Sequence, residues 1–429
     1  MAIVSPDAVW VQPQCYFGVT HRFISTLKLQ TGALAGQCDA WSKIEGLTSV
    51  TELKPDSNSM TLSNGKEFTY KALVVAPGFS HESSYIEGLG DFETGPETNN
   101  VWVHSFNDRA NAERNFFNGY QSLAGDNIMY SPKFPYKGEG SDFYALYYEH
   151  MMRQDKLLGL ASENARIQYW TPNKEIYRFP YANAMALEEC EKRGIDVNFG
   201  WEMTSMKYND IGEKIATFKN VDSGETIEKE FNSASINPPS KPHDFIVKSG
   251  LTDENGLIDV NKYTLQHKKY ENVFAFGDAI AGDTTRTYVG AQHQNPIVKH
   301  NLLQFLHGKE CNAVYDGYTY MPFMMGMRYA SGFAHKHDYE PCQTNHMVPG
   351  YGIFGRAYMS YYMSNAASTA DSYSGMKKHH GPPHQYYSAI YDPLEHNEYL
   401  NNKGIPAEEA RHPAAQQRYL ESNPAPATN

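Results

Sequence analysis

The sequence lacks several patterns that would settle a function at once. Its five cysteines, Cys15, Cys38, Cys190, Cys311 and Cys342, form no CxxC and no CxxxxC pair. That spacing excludes a disulfide framework and a zinc ribbon, and reads as isolated thiols in a reducing compartment. No stretch approaches the roughly 18–20 uncharged apolar residues that cross a bilayer. The opening residues MAIVSPDAVW read as neither a charged-then-apolar signal peptide nor an Arg-rich transit sequence. No GxGxxG occurs, since Gly138-Glu139-Gly140 is not followed by a third glycine at the right offset. Basic charge is in short supply, with 37 Lys+Arg against 49 Asp+Glu and a net charge of −12. Binding to a phosphate backbone is therefore excluded as a main activity, because that affinity comes from Lys and Arg displacing counterions.

What is present points to a folded chain of 429 residues and about two or three domains. Charged residues make up 20%, far from a disordered polyelectrolyte. Exchanging the 31 Tyr for the 33 Gly in the hydrophobic count leaves it slightly under the globular norm, so some polar, loosely structured length is expected. Short β-branched runs alternate with helical patterns, which argues for α/β architecture. Ala2-Ile3-Val4 reads as a strand. Ala72 to Ala76, closed by Pro77-Gly78, reads as a buried strand entering a turn. Asn127 to Tyr130 is a further strand, followed by a Pro/Gly-rich loop and a helix from near Ser141. Ala165 to Trp170, a helix over Tyr181 to Lys192 closed by Arg193-Gly194, and the strand Ile195 to Phe199 complete a nucleotide-binding-like unit. Val273 to Asp278 precedes a helix from about Arg286 to Leu306, which Pro296 should bend. Met376 to Asn429 holds seven of the 23 prolines, so this tail is expected to be extended and short of core-forming residues.

Some candidate sites follow from residue type alone. A strand ending at Gly277-Asp278 lets a ligand approach the backbone, and Asp278 can accept a hydrogen bond from a sugar or ribityl hydroxyl. The helix that follows points its N-terminal amides at an anionic group. His379, His380 and His384 have metal-ligand spacing, but in a Pro-flanked tail they read as solvated side chains, and no metal is expected. Met321, Phe323, Met324, Met325 and Met327 read as Met-rich core or an interface toward other subunits.

Several blocks together resemble the sulfide:quinone oxidoreductase family of FAD-dependent pyridine nucleotide-disulfide oxidoreductases. The strongest runs from Gly256 to Asp278 and is similar to that family's second flavin-binding signature. Ala2-Ile3-Val4 with Gln12-Pro13, Val50 to Asp56, Leu73 to Gly78 and Tyr315 to Thr319 follow in the family's order, and beyond about residue 345 the resemblance is lost. It implies two Rossmann-like domains of the disulfide-reductase type: an FAD-type domain from residues 1–120 and 240–315, and a second dinucleotide-binding-like domain at 121–239. An interface segment at 316–375 and the tail at 376–429 form a C-terminal extension. The first domain is expected to lack its N-terminal strand and glycine loop, since the match starts at the second strand and Ser5 stands where an acidic residue holds the ribose. By the same resemblance Gln12, Pro13, Gly78, Lys137, Gly277 and Asp278 are the vestigial cofactor-binding positions.

The resemblance also shows what the chain does not carry. Sulfide oxidation of this type needs two thiols beside the flavin. The family's cysteine positions are occupied by Gly138 and Met321; glycine has no nucleophile and a thioether forms no disulfide. Cys15 and Cys342 are weak surrogates. The expectation is therefore a pseudoenzyme with no catalytic residues and no retained cofactor, serving as an accessory subunit of a mitochondrial inner-membrane, respiratory-type assembly. The alternative is an active FAD-dependent enzyme passing electrons from sulfide to quinone through relocated cysteines.

Overall fold

The computed structural model describes residues 2–5, 9–11, 30–33, 43–46, 48–81, 83–95, 99–103, 125–140, 143, 164–324, 329–341, 357–358 and 393–422. Its largest sheet is parallel and five-stranded, in the order Val101–Val103, Ser233–Ile236, Gly125–Tyr130, Ala165–Thr171, Asp196–Phe199. The expected α/β alternation is visible here. The helix Pro180–Arg193 connects two of these strands, with Pro at its first turn and Lys192 and Arg193 in its last. It stops at Gly194, whose left-handed backbone (φ +65°) lets its N–H bond back to Cys190 and Glu191. Ala182, Ala186, Glu189 and Cys190 line one face of the helix, and that face packs on Met129, Ile167 and Tyr169.

The other face of the sheet carries Ile128, Tyr130 and Trp170. It is covered by an antiparallel sheet of Trp201–Tyr208, Lys214–Asn220 and Thr226–Phe231. Trp170 stacks on Phe218 with ring centroids 4.3 Å apart, which fixes how the two layers meet.

A second hydrophobic core surrounds the parallel pair Leu73–Val75 and Val273–Ala275. The three residues of the latter strand are fully buried, against Ile297 and Val298 of the helix Tyr288–Leu306. That helix starts two residues later than the sequence pattern indicated, because Thr287 caps it, and Pro296 lies within it. Ala2–Ser5 forms a strand as expected and pairs in parallel with Lys43–Gly46. The run around Val74 is less buried than expected. The described residues pair Leu73–Val75 on one edge only, and Val74 stays 39% exposed. The helix expected near Ser141 lies outside the described residues.

The extended tail needs correction. Glu398–Lys403, Ala407–Ala410 and Pro413–Ser422 are helices. Leu394, Leu400 and Ala410 are buried against Tyr263 and Val314. The Asn397 side chain caps the first helix by accepting from the Leu400 N–H, and Gly404 closes it in the left-handed conformation. Pro406 and Pro413 stand at helix starts, where a missing N–H costs nothing. Residues 376–392 lie outside the described residues.

Candidate functional site

The two parallel strands Leu73–Val75 and Val273–Ala275 run to glycines at the same end, Gly78 (φ +68°) and Gly277 (φ +86°). A Cβ at either would meet no atom within 4 Å, so the backbone is open to approach from outside. Beyond Gly277 the chain passes Asp278 and the loop 279–287, then enters the helix Tyr288–Leu306. Thr287 caps that helix by accepting from the Gly290 N–H, and its hydroxyl also bonds Thr319 Oγ1 at 2.5 Å. Strand ends and helix start together enclose a cleft of about 270 Å3, partly open to solvent, lined by Gly277, Asp278, Thr284, Arg286, Gly290 and Gln294.

Much of the polarity of this cleft is already engaged. The Gly277 N–H donates to Gln294 Oε1 at 2.8 Å. Arg286 reaches back across the loop, where its Nε donates to the Asp278 carbonyl at 2.8 Å and its Nη2 to the Ile280 carbonyl at 3.1 Å. Its Nη1 meets Glu139 Oε1 at 3.4 Å. Glu139 also receives the Nε of Arg178 at 3.0 Å and its Nη2 at 2.5 Å on Oε2. The Glu139 and Arg286 side chains are only 2% and 5% exposed, so these charges sit in a low-dielectric interior. Burial pushes the Arg286 guanidinium down, against the pull of Glu139. Burial works against the Arg178 guanidinium, but Glu139, through charge and hydrogen bond, together with Tyr339 and Tyr136 holds it above its ordinary value. Burial pushes the Asp278 carboxyl up, opposed by Lys137 and Arg286 and reinforced by Glu139.

A turn explains how Glu139 comes to point inward. Gly138 and Gly140 both have positive φ (+70° and +77°), a backbone path that other residues rarely follow. The turn is pinned by Tyr136, whose hydroxyl accepts from the Gly140 N–H, and by Tyr177, whose hydroxyl donates to the Gly140 carbonyl.

Next to the cleft, Asp283 accepts from His337 Nδ1 at 2.7 Å and from Lys262 Nζ at 3.0 Å. His337 Nε2 lies 3.2 Å from the Tyr315 carbonyl. Burial alone would raise the Asp283 carboxyl, but its bonds and charge contacts with His337 and Lys262 hold it far below the usual range.

Among the residues singled out from the sequence, Gly277, Asp278, Gly78, Lys137 and Gly138 lie in or beside the cleft and its ion cluster. Met321 lies in the strand Thr319–Met324, close in sequence to Thr319, which bonds the cleft helix. Its side chain, like those of Phe323, Met324, Met325 and Met327, lies outside the described residues. Gln12, Pro13, Cys15, Cys342, His379, His380 and His384 lie outside them altogether. The described cysteines are buried, and burial pushes both the Cys190 and Cys311 thiols up to about 12. They belong to different cores. Among the described residues no group of three or more His, Cys, Asp or Glu is placed to hold a metal. No described helix is long and apolar enough to cross a membrane. Sequence reasoning missed Glu139, Arg178, Arg286 and the Asp283–His337 pair. The only local hint was an acidic residue between two glycines.

No protein-family model matches the chain. The mitochondrial sulfide:quinone oxidoreductase of Schizosaccharomyces pombe is 29% identical over 280 residues, covering 65% of this chain and 59% of that protein. Its counterpart in Mus musculus is 28% identical over 283 residues, with the same coverages. The chain thus spans about three fifths of the length of these curated relatives. Among solved structures, a chain of the mitochondrial ATP synthase of Tetrahymena thermophila aligns with a TM-score of 0.75 and 24% identity, over 87% of this chain and 89% of that one. The sulfide:quinone oxidoreductase of Aquifex aeolicus aligns with a TM-score of 0.66 and 15% identity, over 86% and 83%. These likenesses establish the fold as the Rossmann-like, FAD/NAD(P)-binding type. In sequence the chain is thus similar to mitochondrial sulfide:quinone oxidoreductases, and in fold to the solved structures above.

Proposed function

We propose that the chain is a family member that has lost sulfide oxidation, retains no FAD, and serves as a structural subunit of a mitochondrial membrane-associated assembly of the ATP synthase or respiratory type. The observation that carries this reading is the state of the sulfur. By the resemblance, Gly138 and Met321 stand where the family carries its two cysteines. The described thiols, Cys190 and Cys311, are buried in separate cores and held in the unreactive protonated form. Among the described residues no paired thiolates offer sulfide a route through sulfur to an electron acceptor.

The residues present do not fit a flavin dinucleotide. The enclosed part of the cleft at Gly277 has room for little more than a water molecule, far less than a dinucleotide needs. Arg286 lines it, and Gln294 occupies the Gly277 amide. The fold shared with a chain of the Tetrahymena assembly supports the role as a subunit, and the mitochondrial relatives support the location.

One observation favours a second reading, an active FAD-dependent oxidoreductase of sulfide and quinone with Cys15 and Cys342 as relocated thiols. The space beside Gly78 and Gly277 is open. The test separates the two. Full-length protein, isolated from mitochondria and in recombinant form, is scanned from 350 to 500 nm before and after sulfide, and assayed for reduction of a soluble ubiquinone analogue. The expected result is no sulfide-bleachable flavin band, no rate above buffer, and co-migration with the intact assembly on native gels. A bleachable band with turnover that Cys15→Ser or Cys342→Ser abolishes would establish the second reading.

A further inference from the structure

The ion cluster has a feature that the loss of sulfide chemistry alone does not require. Its three members come from three distant parts of the chain. Glu139 follows the strand Gly125–Tyr130 of the five-stranded sheet, and Arg178 lies between the strand Ala165–Thr171 and the helix Pro180–Arg193 of the same unit. Arg286 belongs to the other core, in the loop between Gly277 and the cleft helix. Arg178 crosses as well, donating from Nη2 to the Thr284 carbonyl at 3.3 Å. Every hydrogen bond in the group therefore either joins the two cores or braces a residue that does.

We propose that Glu139, Arg178 and Arg286 form an internal ionic clasp that fastens the five-stranded unit to the Gly277–Asp278 unit beside the cleft, so that the two halves hold together with no cofactor between them. This rests on the reading that no flavin is held. Burial decides why the clasp works as a set. With one carboxylate between two guanidiniums, and Asp278 and Lys137 adding charge of either sign nearby, each group has an opposite charge within reach. Removing Glu139 strands the buried Arg286 and the partly buried Arg178, whereas replacing all three with apolar residues of similar volume strands none. The aromatic rings around the group support the same placement: the Arg178 guanidinium lies 5.5 Å from the Phe134 ring and 5.8 Å from the Tyr339 ring, and that of Arg286 lies 5.7 Å from the Phe79 ring.

The experiment uses full-length protein, with thermal melts and hydrogen exchange read by peptide mass spectrometry. In Glu139→Gln, protection is expected to fall together at 131–140 and at 277–287, on both sides of the clasp, and the melting temperature to drop by about 3 °C or more. The triple variant Glu139→Leu/Arg178→Met/Arg286→Met is expected to melt closer to wild type than the single variant does, a non-additivity that separate local contacts do not produce. If Glu139→Gln fails to fold, the triple variant compared with Arg286→Met alone gives the same comparison. Protection lost at 131–140 only, or a triple variant that melts below both single variants, overturns the clasp. A bleachable flavin band in the same wild-type sample overturns the proposed function instead and leaves the exchange comparison readable.

Discussion

Asp283 tethers the loop that forms one wall of the cleft, and its removal should be visible as a pH-dependent loss of stability. Its carboxylate takes a hydrogen bond from His337 at 2.7 Å and one from Lys262 at 3.0 Å, with the Asp283 side chain 28% exposed and that of His337 4% exposed. His337 is wedged edge-on between Tyr263 and Tyr315, with centroids 5.5 and 5.4 Å away, so it cannot follow a displaced loop. A hydrogen bond to a charged group contributes about 1.5–3 kcal/mol. Asn at 283 keeps one acceptor oxygen but no charge, so Asp283→Asn should cost about 2 kcal/mol at pH 7, read as the shift in urea midpoint. The pH dependence has a definite sign. The folded carboxyl is held far below the unfolded value of about 3.9, so its contribution is complete above that value and is lost as pH falls toward the folded one. The gap between wild type and Asp283→Asn should therefore be steady from pH 7 to 5 and narrow below about pH 4. A gap that is unchanged at pH 3.5, or one smaller than about 0.5 kcal/mol at pH 7, would refute the assignment of the tether to charge.

Two further outcomes follow from the buried groups. Thiols pushed up to about 12 should leave Cys190 and Cys311 unlabelled by Ellman-type reagents in native protein at pH 8, with both reacting once urea unfolds the chain; native labelling of either at the rate of a free thiol counts against their burial. Arg411→Ala removes the bonds to Glu310 and Glu395 and the stacking on Tyr419, whose ring lies 4.1 Å from the guanidinium. Because both carboxylates are about a third exposed, the expected cost is roughly 2 kcal/mol, less than for a fully buried pair. It should appear as faster proteolysis within 393–422 while the rest of the chain stays protected.

The parts of this molecule that were legible in the sequence are those whose signal is local. The strand at Val273, the helix ended by Gly194 and the run Ala165 to Trp170 each carry their own periodicity and stop residue, so the α/β architecture could be read directly. The tail could not. Composition counts prolines, while structure depends on where they fall: Pro406 and Pro413 start helices, and three buried side chains suffice because Tyr263 and Val314 already offer an apolar seat. At the site, Gly277-Asp278 was legible because strand, glycine and helix are contiguous. Glu139 stands 39 residues from Arg178 and 147 from Arg286, and no spacing rule connects positions that only the packing of two cores brings together.

On the proposed reading, the energetics of that cluster bear on whether a cofactor could be accommodated. An isolated guanidinium or carboxylate at these positions would cost several kcal/mol, so the members are tolerable only in combination. A thiol at position 138 would replace one of the two glycines whose positive φ turns Glu139 inward, and would strain that turn beside the buried Arg286. Clearing the cleft means removing Arg286, which strips Glu139 of one partner and unfastens one core from the other. On the proposed reading, the change from enzyme to scaffold therefore involves more than two missing sulfur atoms: the contacts that fill the cleft are the ones that hold the halves of the protein together, and the fold's stability opposes the return of a cofactor.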